Sequence, residues 1–255
     1  MQEKIRVWDL PTRLFHWALA ACVAGSLVSV NLGGNAVGWH FRFGYAILTL
    51  LLFRLAWAFA GPRYARFASF PPNPAAALRY LRGEGTGGPG HSPLAAFSVY
   101  ALLLALAIQA GTGLFANDAI MWDGPLKHLV TNATSDTLTR LHKLNRYVVI
   151  GLVLLHLAAI AFYTFVKRRR LVAAMITGDA EVDPPPGQAA NRAAADGRTS
   201  GSERASGDGR ASEVAVPARP ARDDARVRLK ALFLLAASAA AVWALVEFGG
   251  SSGGF

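Results

Sequence analysis

The 255-residue sequence has a single cysteine, Cys22. That excludes an internal disulfide, a Cys-x-x-Cys-His attachment of haem c and an iron–sulfur cluster built from this chain alone. Charge is also scarce: Asp, Glu, Lys and Arg make up 16% of the residues against 53% hydrophobic ones. A soluble domain carries a larger charged fraction, so this composition points to a lipid environment. No internal repeat is visible.

What is present is a set of long apolar runs. A membrane-spanning helix needs about 20 mostly apolar residues, and residues 14–32, 39–60, 93–115, 145–166 and 231–248 qualify. The net charge of +10 does not indicate a nucleic-acid partner, because Lys and Arg gather at the ends of the apolar runs and in one polar stretch. They read instead as topology signals. Lys4, Arg6 and Arg13 precede the first span, Arg63, Arg66, Arg79 and Arg82 follow the second, and residues 167–170 follow the fourth. These lie on alternate loops, so the positive-inside rule places the N-terminus in the cytoplasm. The opposite loops, 33–38 and 116–141, are poor in basic residues, and the longer one carries Asp118, Asp123 and Asp136.

Lys4 and Arg6 ahead of an apolar run imitate a signal peptide, and Leu19-Ala20-Ala21-Cys22 imitates a lipoprotein cleavage box. The run continues to Val30, however, with Arg13 just before it, so the first helix is expected to be retained. Prolines at 71, 72 and 74 and the glycines of 83–90 break the second loop, leaving room for a short helix over 75–81. From residue 178 onward Pro, Ala, Gly, Ser, Asp and Arg replace large apolar residues, a composition that cannot bury a core. Three regions are therefore expected: a membrane domain over 1–177, a disordered cytoplasmic linker over 178–229, and a C-terminal helix with its tail over 230–255. The final 18-residue apolar run is just long enough to span, with an interfacial or re-entrant helix as the alternative.

Ionisable residues inside a span are costly and are functional candidates by default. Four of the six histidines lie in or at the edge of spans. His142 and His156 are 14 residues apart on the fourth helix, nearly four turns, so both point to one side about 21 Å apart in depth. With the N-terminus inside, His16 lies at the inner level and His40 at the outer; the fourth helix runs inward, making His142 outer and His156 inner. Depth matching thus pairs His16 with His156 and His40 with His142. Two imidazoles from different helices at each of two levels suit bis-histidine haem, an iron cofactor that passes single electrons and leaves no open coordination position. Zinc or copper would need further ligands, and the spans hold no Asp and only Glu247 and Cys22.

Arg54 lies 14 residues beyond His40 and faces the same way at the inner level. A haem propionate or an anionic or quinone ligand would partner it; the alternative is snorkelling to the interface. Arg42 and Arg146 stand near the outer level, Arg13 and Lys167 near the inner, where topology alone also places basic residues. His91 reads as interfacial and His128 as a loop residue. Trp8, Trp17, Trp39, Trp57 and Trp122 read as interface anchors.

Residues 7–17, Val7-Trp8-Asp9-Leu10-Pro11-Thr12-Arg13-Leu14-Phe15-His16-Trp17, resemble the opening of the bacterial cytochrome b561 and nickel–iron hydrogenase b-type cytochrome group. Gly90-His91-Ser92-Pro93-Leu94 resembles the start of that group's third helix. The resemblance covers about residues 5 to 175. It implies an all-α membrane protein, a four-helix transmembrane bundle with two stacked b haems, whose first, second and fourth helices supply the ligands; the linker and fifth helix are additions. It also implies quinone or quinol as redox substrate in the bacterial inner membrane. Members differ at the outer face, where a c-type cytochrome, a hydrogenase or superoxide is the partner. The expected function is one-electron transfer through two haem b groups between the quinone pool and an outer redox protein such as a c-type cytochrome. Superoxide:quinone oxidoreduction and a hydrogenase cytochrome subunit are the redox alternatives, and a small transporter or membrane anchor is the non-redox one.

Overall fold

The computed structural model describes residues 3–83, 90–182 and 220–252. In chain order the elements are β1 (Glu3–Arg6), α1 (Leu10–Leu32), α2 (Val37–Ala60), α3 (Pro74–Leu81), α4 (Pro93–Gly113), α5 (Asn132–Phe165), α6 (Leu171–Thr177), β2 (Asp179–Val182) and α7 (Ala225–Ser252). The protein is an all-α membrane protein. Five helices (α1, α2, α4, α5 and α7) have the length and apolar composition to cross a bilayer. Large apolar side chains line the outside of the bundle, with Phe59 73% and Trp243 67% exposed, a surface that only lipid solvates without penalty.

Local sequence starts the helices where they begin. Asp9 caps α1 by accepting the Thr12 N–H, with Pro11 in the first turn. Asn73 with Pro74 does the same for α3, and Ser92 with Pro93 for α4. A cap oxygen satisfies an N–H that the helix cannot, and proline in the first turn has no N–H to satisfy. Thr131 caps α5 by accepting from Thr134, so α5 starts well before the apolar run and reaches 34 residues, or about 51 Å. The excess projects beyond the membrane on the side away from the N-terminus, here termed the distal end; the other is the N-terminal end.

Within the bundle α1 packs on α2, α2 on α4, and α4 on α5. Ile47 and Leu51 of α2, Ala105 and Leu106 of α4 and Val149 of α5 form its central cluster. The fifth helix, α7, lies against α2. Its Lys230 donates to the Ala60 carbonyl at the N-terminal end (2.9 Å), and its Phe248 reaches the ring of His128 at the distal end. It therefore runs the height of the bundle, antiparallel to α2.

The N-terminal end is closed by a clasp. β1 pairs antiparallel with β2, with Arg6 opposite Asp179. Gly178, at φ +93°, ends α6 in the left-handed region, and its carbonyl accepts from the N–H groups of Val7 and Trp8. A side chain at this glycine would also meet the Trp8 carbonyl at 2.7 Å. Arg6 pairs with Asp179 (2.6 Å) and Asp223 (3.1 Å), and Asp223 also pairs with Arg228 of α7. Residues 178–182 and 220–229 thus form ordered structure at the two ends of the stretch expected as a linker; the rest of it lies outside the described residues.

Candidate functional site

α5 supplies two histidines at two levels, and each meets a partner from the opposite side of the bundle. The His16 and His156 rings have centroids 6.4 Å apart with planes at 52°. The His40 and His142 rings are 6.0 Å apart at 88°. A metal sits about 2 Å from an imidazole nitrogen, with about 1 Å more to the ring centre, so two axial imidazoles on one iron place their centroids about 6 Å apart. Both spacings fit that arrangement. No cluster of three or more His, Cys, Asp or Glu side chains occurs among the described residues, which fits a cofactor asking two ligands per site better than a zinc or copper centre.

The distal pair is held by a hydrogen-bond shell. His40 Nδ1 lies 2.9 Å from Ser26 Oγ and 3.1 Å from the Ser26 carbonyl. His142 Nδ1 lies 2.9 Å from the Gln109 carbonyl. Donation from Nδ1 fixes the tautomer that leaves Nε2 free for a metal. The Gln109 amide nitrogen is nearly equidistant from both ring nitrogens of His142, at 3.2 and 3.1 Å, and donates to the His142 carbonyl (3.1 Å). Asn145 steadies it by donating to Gln109 Oε1 (2.8 Å) and to the Ala105 carbonyl. Gly113 completes the fit: a Cβ there would lie 3.0 Å from His142 Cε1.

Beside this pair opens a cavity of about 880 Å³, lined by Ser26, His40, Gln109, His142 and Trp122, with Arg140, Lys143 and Arg146 also along it. Its volume is in the range of cofactor pockets. The distal loop is ordered above it. Asp118 accepts from three successive N–H groups, Ile120, Met121 and Trp122, which hold its carboxyl below the usual carboxylate range. Asn117 ties the loop to α5 through Ser135 and Thr139, and Trp122 packs on Phe41.

The N-terminal pair has a different setting. His16 Nδ1 is sealed from solvent and has no hydrogen-bond partner. Nearby, Arg54 is 4% exposed, with its guanidinium over the Phe67 ring (4.8 Å) and its Nη1 unpartnered. It does not snorkel. His91 packs against Phe70 (4.1 Å) and edge-on to Trp8 (4.8 Å), its Nδ1 also sealed and unpartnered. Burial, and then the charge of Arg54, push its pKa down to about 3, so the ring is neutral.

Several expected positions are therefore revised. His91 is enclosed by aromatic rings rather than interfacial. Trp8 and Trp57, expected at the lipid boundary, are 9% and 0% exposed, and the Trp57 indole donates to Asp9 (3.3 Å). Trp57 is held inward by the Asp9 cap of α1, and Trp8 packs edge-on against His91. Arg13 donates to the Ile176 carbonyl at the end of α6, a structural partner. Arg146 lies along the distal cavity, while Arg42 stacks on Trp39 at its own helix end. Ser26, Gln109, Thr112 and Asn145 went unnoticed in the sequence, although each is a polar residue inside an apolar run, the same signal that singled out the histidines.

Comparison with known proteins gives one match. The family described as prokaryotic cytochrome b561 matches residues 7–178, about two thirds of the chain, leaving α7 outside. No curated protein and no solved structure matches. Multi-pass apolar helices, paired imidazoles at two levels and this match agree: the chain belongs to the prokaryotic cytochrome b561 family and is a transmembrane electron-transfer cytochrome of the b type.

Proposed function

We propose that the protein carries electrons across the bacterial inner membrane through two b haems, one bound by His16 and His156 and the other by His40 and His142, between the quinone pool and an outer-face redox protein such as a c-type cytochrome. The observation that carries this reading is the ring spacing of 6.4 and 6.0 Å at two levels of one helix. When bound, haem supplies reversible one-electron chemistry.

The chain's own residues do the rest. With both imidazoles of a pair holding the iron, no coordination position would be open to oxygen, and such a site would relay electrons instead of activating a substrate. Ser26 and Gln109 orient the distal imidazoles, and the apolar helices exclude water, keeping the change between charge states small in its structural demands. Arg146 and Arg54 are counter-charges for propionates at the distal and N-terminal levels. We place the redox machinery within residues 1–177, with α7 packed alongside α2. Basic residues at the N-terminal end, including Arg13 and Lys167, support a cytoplasmic position for that end, with the distal cavity at the outer face.

Purified protein is expected to hold two haems per chain with a reduced b-type spectrum. His16→Ala or His156→Ala removes one haem, and His40→Ala or His142→Ala the other. Four variants that all retain both haems would overturn the assignment. A second reading, superoxide oxidation coupled to quinone reduction, draws support from Arg140, Lys143 and Arg146 along the distal cavity. Stopped-flow superoxide decay separates the two: only this reading expects decay to be saturable and to slow on Lys143→Gln.

A further inference from the structure

Arg54 is a buried cation with which no described residue forms an ion pair. Its Nη1 has no hydrogen-bond partner, although only 4% of the residue is exposed. An uncompensated charge in such a place is strongly unfavourable, so a built anion site is the reading that accounts for it. Asp9 is the carboxyl that acts on it electrostatically, yet its oxygens are committed to Thr12 and Trp57, and burial raises its pKa and weakens its charge.

A second orphan lies beside the first. His91 Nδ1 is sealed and unpartnered, and the ring is close enough to Arg54 to feel its charge. Phe67, Phe70 and Tyr100 connect the two: Arg54 covers Phe67, His91 covers Phe70, and both phenylalanines contact Tyr100 at 5.0 and 5.8 Å. Two polar groups, one from α2 and one from just ahead of α4, thus share one aromatic enclosure.

Depth selects the anion. Arg54 lies six residues, about 9 Å, from the end of α2, and His16 six residues from the start of α1, both measured from the N-terminal end. Phe15 and Phe53, their sequence neighbours, pack together at 6.2 Å, so the two helices are in register here. His91, just ahead of α4, lies closer to the N-terminal surface. A carboxylate extending from the His16 level toward that surface would lie at the depth of Arg54 and then of His91. A neutral quinone carbonyl would not discharge the guanidinium, and burial keeps it from lipid phosphates.

We infer that Arg54 and His91 form a carboxylate site for a propionate of the haem at the N-terminal level, a reading that rests on the haem assignment above. Neither is an axial ligand. They hold the carboxylate, and its compensated charge sets the potential of that haem.

The test uses intact haem-loaded protein from cells fed 5-aminolevulinate with a 13C-labelled carboxyl, which labels the propionate carboxylates. Reduced-minus-oxidised infrared spectra then report those groups, and a redox titration reports each haem. Arg54→Met is expected to keep both haems, shift the labelled bands and lower one midpoint potential, because an uncompensated carboxylate favours the ferric state. Arg54→Lys keeps the potential closer to wild type but still shifts the bands, and covers the case in which the Met variant does not fold. His91→Phe shifts the bands with a smaller fall in potential. Unaltered labelled bands overturn the proposal: with a fallen potential the anion is a lipid phosphate or a free acid, and with an unaltered potential there is no anion. Wild-type protein that binds no haem is a separate result, counting against the haem assignment.

Discussion

The two histidine pairs each take one ring from α5, 14 residues apart, yet they are built differently. At the distal level both rings are oriented by polar partners: Ser26 for His40, Gln109 and Thr112 for His142, with Asn145 behind Gln109. At the N-terminal level His16 has no such partner, and the polar groups nearby, Arg54 and His91, are orphans inside an aromatic enclosure. One site is thus held through its ligands and the other through its surroundings. A hydrogen bond from Nδ1 makes the imidazole a stronger donor to a metal, whereas a nearby cation acts on the charge of the whole cofactor. On the proposed two-haem reading, these two means give the same cofactor two different potentials on one four-helix frame.

The largest expected departure comes from stripping the distal shell. Gln109→Leu combined with Ser26→Ala removes the side-chain contacts but leaves the Gln109 and Ser26 main-chain carbonyls on the two Nδ1 atoms, and is expected to weaken haem affinity at that level by about 10-fold, measured as haem loss to a competing haem acceptor. The N-terminal haem should be retained, and equal loss at both levels would remove the distinction between them.

Asp9 tests the other end. Asp9→Ala removes the cap of α1 and strands the Thr12 and Trp57 donors, at a cost of about 2 kcal/mol. Thermal unfolding in detergent measures it, and Asp9→Asn, which keeps one acceptor oxygen, should recover a large part.

Gly113 offers a finer probe, with a built-in control two residues away. Gly113→Ala presses a methyl against His142 and is expected to tilt that ring, seen as altered g-values of one ferric haem. Gly111→Ala, where nothing lies within 4 Å, should leave both signals unchanged.

The smallest effect concerns the clasp. Burial pushes the Asp223 carboxyl up, but hydrogen bonds from Arg228, the Leu10 N–H and Arg6 outweigh it and hold the group below its usual range. A depressed pKa contributes stability that is present above the unfolded value of about 4 and lost as pH falls through the folded value. Hydrogen exchange at the start of α7 should therefore rise as pH is lowered from 5 toward 3, after correction for intrinsic rates, and Asp223→Asn should abolish that dependence.

Much of this protein is readable residue by residue. The five apolar runs, the Asp9, Asn73 and Ser92 caps with their prolines, and the His142/His156 interval all depend on local composition and helical period, which the chain carries without reference to its neighbours. The extension of α5 back to Asn132 was less legible, because its first turns project from the bilayer and lack an apolar signature. The inward placement of Trp8 and Trp57 was misread for a related reason: indole at a span end has two favourable destinations, and only the position of Asp9 and His91 chooses between them.

The sequence by itself determined that the chain enters the membrane, where its helices run, and that one helix offers imidazoles at two levels, since hydropathy and a 3.6-residue period are properties of a single strand of chain. Which polar groups would hold those imidazoles, that α7 would lie along α2, and that Arg54 and His91 would share an enclosure were decided only by tertiary structure. Each depends on the rotation and register of two or more helices, and no segment contains that information alone.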